Sequence, residues 1–272
     1  MVLDPRVLRS LAVIRDSIPR RAALALATLA AVSVLPLLGV GPARSADNAL
    51  WTDAGTYRVY QGQRPLGREE FEFMVRTDSL MVFSHVFEVL PNHDTVDSLV
   101  KHSALTLALA DEDLRDYQSV QHLNGHRYKR YLAVDDTLFT SYREDEIRGE
   151  GERLVRPPGR LYILDPQVFV LFDYLCRSLH QGGTIDRPIS LLLLAPRDTV
   201  IEAQVTHVGI DTLRWGAHPV QTRKLRIADR TSEFFAWVSP TGRMLRLTQP
   251  ATGLRVEREA PPAAKPRRRT SG

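Results

Sequence analysis

The apolar and polar positions of this chain alternate with a period of two over most of its length. Phe71, Phe73 and Val75 fall on one side of their segment, and Glu70 and Glu72 fall on the other, as in a strand with one face in solvent. We therefore expect a mainly β protein. The same alternation predicts strands over residues 56–60, 68–75, 81–89, 99–109, 117–123, 128–134, 138–142, 200–208, 220–227, 232–238, 244–248 and 254–257.

Turn-forming residues separate many of these segments. Asn124-Gly125 lies between two alternating runs, and this dipeptide favours the tight hairpin turn that needs positive φ at both central residues. Residues 64–67, 135–136 and 239–242 have similar turn chemistry. The pattern predicts a succession of antiparallel hairpins in one large curved sheet. The chain has no fixed-period repeat, which argues against a propeller or solenoid.

One segment has a different pattern and predicts a helix. Asp165 is a candidate N-cap, Pro166 suits the first helical position, and Gly182-Gly183 is a stop signal. The apolar residues between them cover more than half of a helical circle, so we expect the helix to be enclosed. The predicted fold is a half-barrel-like antiparallel sheet around one apolar helix at about residues 166–179.

The amino-terminal region has the three parts of a secretory signal. Residues 22–40 form a 19-residue run without a charge, preceded by arginines and followed by small residues. Cleavage after Ser45 fits best, with Ala43 three positions before the scissile bond, and cleavage after Ala43 or Ala46 is an alternative. We therefore expect residues 1–45 to direct export.

An uncleaved membrane anchor is the competing interpretation of residues 1–45. Nineteen apolar residues approach the roughly 20 that cross a bilayer, whereas Pro36 and the small-residue exit favour cleavage. In both cases the positive-inside rule places residues 46–272 outside the cytoplasm, in the periplasm or secreted. We expect contact with a membrane only through this segment, if it stays uncleaved.

The net charge of +4 lies at the two ends of the 272-residue chain. Residues 1–45 and residues 258–272 each carry +4, which leaves −4 for residues 46–257. A nucleic-acid surface needs a concentrated positive field on the folded domain, so we expect no nucleic-acid partner. Residues 259–272, with three prolines and three consecutive arginines, are predicted to be a disordered basic tail.

Residues 46–258 are long enough for a single β-rich domain with its own core. The chain has one cysteine, Cys176, so an intrachain disulfide is excluded and stability has to come from packing. Residues 143–160 mix arginines with acidic residues, a pattern typical of a solvated excursion at a sheet edge. A mobile flap hinged near Pro157-Pro158 is the alternative for that stretch.

Two stretches carry a resemblance to a known class of proteins. Residues 57–62 with Leu66-Gly67, and the closing residues 235–245, resemble bacterial exported antiparallel-sheet domains of unknown function. Those domains are similar in outline to the curved half-barrels of the lipoprotein carriers LolA and LolB. The resemblance implies the fold and, by analogy, ligand carriage. It brings no catalytic residues.

The spacing of the histidines does not predict a metal site. His122 and His126 flank the Asn-Gly turn, and a two-residue hairpin places their imidazoles on opposite faces of the sheet. The nucleophile elbow, the P-loop, His-Glu-x-x-His, Cys-x-x-Cys and the full dinucleotide fingerprint are all absent from the sequence. We therefore expect neither a metal nor a cofactor.

A polar turn offers the strongest candidate for catalysis. His93-Asp94, with Asp97 nearby, follows Pro91-Asn92, and a carboxylate there could orient an imidazole as a general base. This motif supports an uncharacterised hydrolase as an alternative function. No nucleophile motif accompanies it, so a solvated loop is the simpler interpretation and an enzyme is not the expected outcome.

Aromatic residues on the helix and on a late strand are expected to pack in the core. Lining a ligand pocket is the alternative role for them. The sequence therefore favours an exported, non-enzymatic envelope protein that binds an apolar or amphipathic ligand in the concave face of its sheet. A scaffold that binds an envelope protein through sheet edges and the basic tail is the other alternative. The candidate ligand-binding residues are Phe169, Phe172, Tyr174, Phe235 and Trp237.

Overall fold

The computed structural model describes residues 51–261 except 93–94, 136, 184–185 and 195–196. The predicted export segment and most of the predicted tail lie outside these residues. One helix, α1 (Val170–Gln181), and a short 3-10 turn (Pro250–Thr252) accompany fifteen strands. The strands are β1 (Trp51–Gln61), β2 (Arg64–Val75), β3 (Ser79–Asn92), β4 (Thr95–Ala108), β5 (Leu114–Leu123), β6 (His126–Val134), β7 (Leu138–Glu144), β8 (Gly149–Val155), β9 (Leu161–Leu164), β10 (Arg187–Leu194), β11 (Asp198–Trp215), β12 (His218–Ala228), β13 (Glu233–Val238), β14 (Met244–Gln249) and β15 (Leu254–Arg258).

All fifteen strands belong to one curved, open sheet. Their order is β8-β7-β6-β5-β4-β3-β2-β1-β15-β14-β13-β12-β11-β10-β9, so nearly every strand pairs with its neighbour in sequence. The pairs are antiparallel except β9 with β10, which is parallel. The predicted half-barrel-like sheet around one helix is confirmed.

The Asn-Gly hairpin also forms as predicted. Asn124 and Gly125 have φ values of 53° and 84°, the left-handed values that this turn requires. In the register of β5 and β6, His122 lies opposite Arg127 and Leu123 lies opposite His126. The two histidines therefore face opposite sides of the sheet.

Three strands were not among the predicted ones. All four residues of β9 are buried, and β10 carries the continuous run Leu191 to Leu194, so neither shows a clear alternation. Strand β8 lies in the charged stretch 143–160 and forms one edge of the sheet. Its charged side chains suit an exposed edge, because charges discourage pairing with another chain.

Side chains bring the two ends of the open sheet together. Ser141 on β7 donates a hydrogen bond to the buried Asp198 on β11, and Arg130 on β6 lies 3.2 Å from the same carboxylate. The sheet thus wraps around the helix without closing by strand pairing in the described part of the chain.

Helix α1 is enclosed, as its apolar pattern predicts. Every residue from Val170 to Leu179 is buried. The predicted start at Pro166 is wrong, because the helix begins at Val170. Gln167 has a φ of 66°, which no helix accommodates, so the segment around Pro166 forms a turn instead. No helix among the described residues is long and apolar enough to cross a membrane.

A glutamate from the sheet caps the helix in place of Asp165. Glu69 on β2 accepts hydrogen bonds from the backbone N–H groups of Phe169, at 2.9 Å, and Val170, at 3.1 Å. The side chain of Asp165 instead binds Lys101 and Tyr117. The cap is distant in sequence, so local capping rules could not identify it.

Buried ion pairs hold the middle of the helix to the sheet. Arg177 lies 2.5 Å from Asp53 and 2.9 Å from Asp173, and Arg258 lies 2.9 Å from Asp53. Asp173 also accepts a hydrogen bond from the backbone N–H of Met244 at 2.7 Å. Lifting α1 from the sheet would separate these charges in a dry environment, so we treat the helix as a fixed part of the core.

We expect Gly67→Ala to lower the free energy of unfolding by about 1–3 kcal/mol, the usual cost of overpacking. A Cβ atom at this position would lie 1.9 Å from the carbonyl oxygen of Phe87, which belongs to the backbone of β3. Urea unfolding measures the change. Gly151→Ala is the matched control, because its nearest heavy atom would be 4.0 Å away. Equal stability of the two variants would contradict the close approach of β2 and β3.

Candidate functional site in a cleft between two strands

The helix aromatics predicted to bind a ligand lie in a packed core. Phe169 and Phe172 line a cavity of about 20 Å³, roughly the space of one water molecule. The ring of Phe172 lies 4.9 Å from that of Phe234 on β13. In this conformation the cavity has no room for a lipid chain.

The remaining predicted residues lie in two other places. Tyr174 packs 5.9 Å from Tyr162, between ring centroids, on the helix side of the sheet. Phe235 and Trp237 lie on the opposite face of β13 from Phe234, and Trp237 belongs to a separate small cluster with Leu213 and Leu245. The structure therefore does not bring the five residues into one site, and their role in ligand binding stays a prediction.

The candidate catalytic turn is described only in part. His93 and Asp94 lie outside the described residues. Asp97 accepts a hydrogen bond from the side-chain amide of Asn124 at 2.6 Å, which ties the β4 side of this turn to the β5–β6 hairpin. Residues 51–261, gaps excepted, contain no cluster of three or more metal-ligating side chains.

A wide cleft opens between β2 and β3. The pairing of these strands ends at Gly67 and Glu88, whereas β2 stays paired with β1 as far as Arg64. Strand β3 likewise stays paired with β4 as far as Asn92. The two strands thus separate toward one end, and a cleft of about 570 Å³ opens between them. It is lined by Arg58, Tyr60, Pro65, Leu66, Gly67, Arg68, Phe87, Glu88, Val89, Ser98, Leu99 and Val100.

Local sequence explains the separation of the strands. Pro65 has no N–H to donate to a neighbouring strand. The register of β1 with β2 also shifts between Val59 and Tyr60, a bulge that bends the first residues of β2. At Gly67 the two backbones approach so closely that a side chain would not fit. The cleft begins directly beyond this contact.

Glu88 is the unusual member of the lining. Its side chain follows Ser84 and Val86 on the inner face of β3, and the residue is only 4% exposed. Its Oε1 atom is buried and has no hydrogen-bond partner among the described residues. Burial raises the pKa of Glu88 to about 7, although the charge of Lys101 acts in the opposite direction. A buried carboxyl oxygen without a partner costs free energy, which suggests a role other than stability.

Two further carboxyl groups lie on the same inner surface. Burial raises the pKa of Glu69 to about 8, hydrogen bonds from Ser84 and from the helix backbone lower it in part, and the charge of Glu88 adds to the rise. Asp165 accepts hydrogen bonds from Lys101 and, at 2.5 Å, from Tyr117. The charges of Asp165, Glu88 and Arg130 all act on Lys101, which is bound to Asp165.

The outer rim of the cleft is apolar and cationic. Val89 is 46% exposed. The guanidinium of Arg68 lies 5.3 Å from the centroid of the Phe87 ring and 3.2 Å from Glu70, and Arg58 pairs with Glu259. The cleft therefore combines an apolar lining, a buried acid at its inner side and solvated ion pairs at its mouth.

No family model, no curated protein and no solved structure matches this chain. The resemblance to exported domains of the LolA and LolB type stays a prediction, and function has to be inferred from the site itself.

Sequence reasoning missed Glu88, although one signal was present. Val82, Ser84, Val86 and Glu88 have the same parity in a predicted strand, so an acidic residue had to share the inward face with two valines. The cleft beside it was not visible, because the ends of strand pairing depend on the register of β2 and β3.

Proposed function

We propose that this chain is an exported, non-enzymatic envelope protein that binds an apolar or amphipathic ligand, and that the ligand enters the cleft between β2 and β3. The observation that carries the proposal is the buried Oε1 atom of Glu88, which has no hydrogen-bond partner among the described residues, beside a 570 Å³ opening with a mainly apolar lining. Ligand pockets commonly combine apolar walls with a few placed polar groups.

The cleft supports binding better than the space beside the helix aromatics. A ligand beside Phe169 and Phe172 would have to displace α1, which Glu69 holds at one end and the Asp53, Asp173, Arg177 and Arg258 ion pairs hold in the middle. The cleft needs no such rearrangement, because it is open to solvent on its outer side.

The residues that line the cleft favour binding over catalysis. They include one carboxyl, that of Glu88, and one aliphatic hydroxyl, that of Ser98, but neither histidine nor cysteine. A hydrolytic site needs a nucleophile or activated water together with a positioned base. A single buried acid instead suits recognition of a donor group on a ligand.

The direct test is mass spectrometry of an organic extract from the full chain, purified gently from an exported source. We expect a stoichiometric apolar or amphipathic molecule in the wild-type extract. Val89→Trp should reduce the amount, because an indole at this half-exposed lining position would fill the mouth of the cleft. Ile210→Trp is the control, since Ile210 is 72% exposed on β11 and does not line the cleft. An empty wild-type protein, or equal loading of both variants, would contradict the proposal.

Export has its own test. The intact mass of the protein recovered from the cell envelope should match a chain that begins at Asp47, Ala46 or Arg44 if the predicted signal is cleaved. A chain of full mass in the membrane fraction would support the uncleaved anchor. Recovery from the cytoplasm at full mass would overturn export in both forms.

A further inference from the structure

We infer that the cleft between β2 and β3 recognises an amphiphile with an ammonium head group, which pairs with Glu88 while the aliphatic part contacts Leu66 and Leu99. The inference depends on the proposed function and specifies its ligand class. Three independent features of the site support it: the state of Glu88, the local charge balance and the lining.

The first feature is the unfilled hydrogen-bonding capacity of Glu88. The residue is 4% exposed, it lines the cleft, and its Oε1 atom has no partner within the described structure. A carboxylate accepts hydrogen bonds and attracts a positive charge most strongly when it is desolvated. An ammonium group supplies three donors and one positive charge, and it therefore satisfies both needs.

The second feature is the local charge balance. Glu69, Glu88 and Asp165 supply three acidic groups, and Lys101 supplies one cation; Arg130, whose charge also acts on Lys101, is paired with Asp198. Lys101 uses its hydrogen bonds on Asp165 and on the carbonyl oxygen of Pro166, at 3.1 Å. A further cation at Glu88 would therefore complement the cluster, whereas an anion would add repulsion.

The third feature is the lining, which selects an organic cation rather than a metal ion. Leu66, Leu99, Phe87, Val89 and Val100 surround the opening, and Glu88 is the carboxylate in its lining. Calcium takes six to eight oxygen ligands and magnesium demands an octahedral set. An alkyl chain, in contrast, gains roughly 25 cal/mol for each Å² of apolar surface that it buries.

The experiment compares three short amphiphiles with the same chain length: n-octylammonium, n-octanoate and n-octanol. Isothermal titration calorimetry with the full-length protein at pH 8 should give the highest affinity for the ammonium. Glu88→Gln should weaken ammonium binding at least tenfold and leave octanol binding nearly unchanged. Glu72→Gln, on the solvent side of the same strand as Glu69, is the matched control.

The pH dependence gives a second readout. Because the pKa of Glu88 is raised to about 7, its carboxylate forms only as the pH rises, so wild-type affinity for n-octylammonium should increase from pH 6 to pH 8. Glu88→Gln should remove this increase. The charged groups around Glu88 are Glu69 from β2, Lys101 from β4, Arg130 from β6, Asp165 before the helix, and Arg58 and Arg68 at the rim.

The outcomes separate this inference from the proposed function. Equal affinity for all three amphiphiles, with no effect of Glu88→Gln, would overturn ammonium recognition and leave apolar binding intact. Failure of all three to bind, together with an empty organic extract, would overturn both. If Glu88→Gln does not fold, Val89→Trp tests whether the cleft is the site of ammonium binding. The extract mass distinguishes an amine-headed lipid from a free alkylamine.

Discussion

Asp173→Ala should lower the free energy of unfolding by about 3–5 kcal/mol, the usual cost of breaking a buried ion pair on one side. Asp173 is fully buried and lies 2.9 Å from Arg177 and 3.3 Å from Arg258. Its removal leaves the guanidinium groups of Arg177 and Arg258 with less negative charge to balance them. It also leaves the backbone N–H of Met244 without its acceptor. Small domains are stable by about 5–15 kcal/mol in total, so the loss is severe.

Urea and thermal unfolding measure the loss of stability in Asp173→Ala. Two further variants show how much of that loss comes from the buried charge. Asp173→Asn keeps an acceptor for Met244 but removes the charge, so its stability should lie between wild type and Asp173→Ala. Glu150→Ala breaks the exposed Arg148–Glu150 pair and should cost less than about 1 kcal/mol. A loss of less than 1 kcal/mol in Asp173→Ala would show that the buried network does not anchor the helix.

Glu88→Gln should remove about 3 kcal/mol of the pH dependence of stability between pH 4.5 and pH 8. The pKa of Glu88 is about 7 in the folded protein and near 4.5 in the unfolded chain. Below pH 4.5 both states hold the proton, so the stabilising contribution is fully present. As the pH rises, the unfolded chain releases its proton first, and stability falls until the folded group ionises near pH 7.

Chemical unfolding at pH 4.5, 6, 7 and 8 tests whether stability falls as the pH rises. Wild type should lose stability along the series, and Glu88→Gln should lose less, because glutamine does not ionise. Glu69 has a pKa raised to about 8, and the charge of Glu88 is one cause of that rise, so Glu88→Gln should also reduce the part of the slope that Glu69 contributes. The exposed Glu72→Gln variant should follow wild type. Parallel curves for wild type and Glu88→Gln would contradict the burial of a titrating acid in the cleft.

Asp173 and Glu88 are both buried acids, but they affect the stability of the protein in opposite directions. Asp173 accepts hydrogen bonds from Arg177, from Arg258 and from the backbone N–H of Met244, and its charge stabilises the position of the helix. Glu88 is equally inaccessible but incompletely paired, so its replacement is expected to make the protein more stable at alkaline pH and less able to bind. A buried residue that lowers stability and lines a cleft is a sound candidate for function.

Alternation along the chain determined most of the sheet. The period of two identified twelve of the strands, since most of them have one face against the core and one face in solvent, as in Phe71-Glu72-Phe73. The hairpin at Asn124-Gly125 followed from the φ values that only such residues adopt readily. Both are local properties, which explains why the sequence alone was sufficient to predict a curved antiparallel sheet and an enclosed helix.

Only the tertiary structure decided where the helix begins and where a ligand site lies. The helix starts at Val170 because Glu69, a hundred residues earlier, accepts its first N–H groups while Asp165 binds Lys101. The cleft exists because β2 and β3 separate beyond Gly67, and Glu88 lies at the last pair of that register, where its Oε1 atom has no hydrogen-bond partner among the described residues. Such features depend on contacts between distant segments, and hydrophobic periodicity contains no information about them.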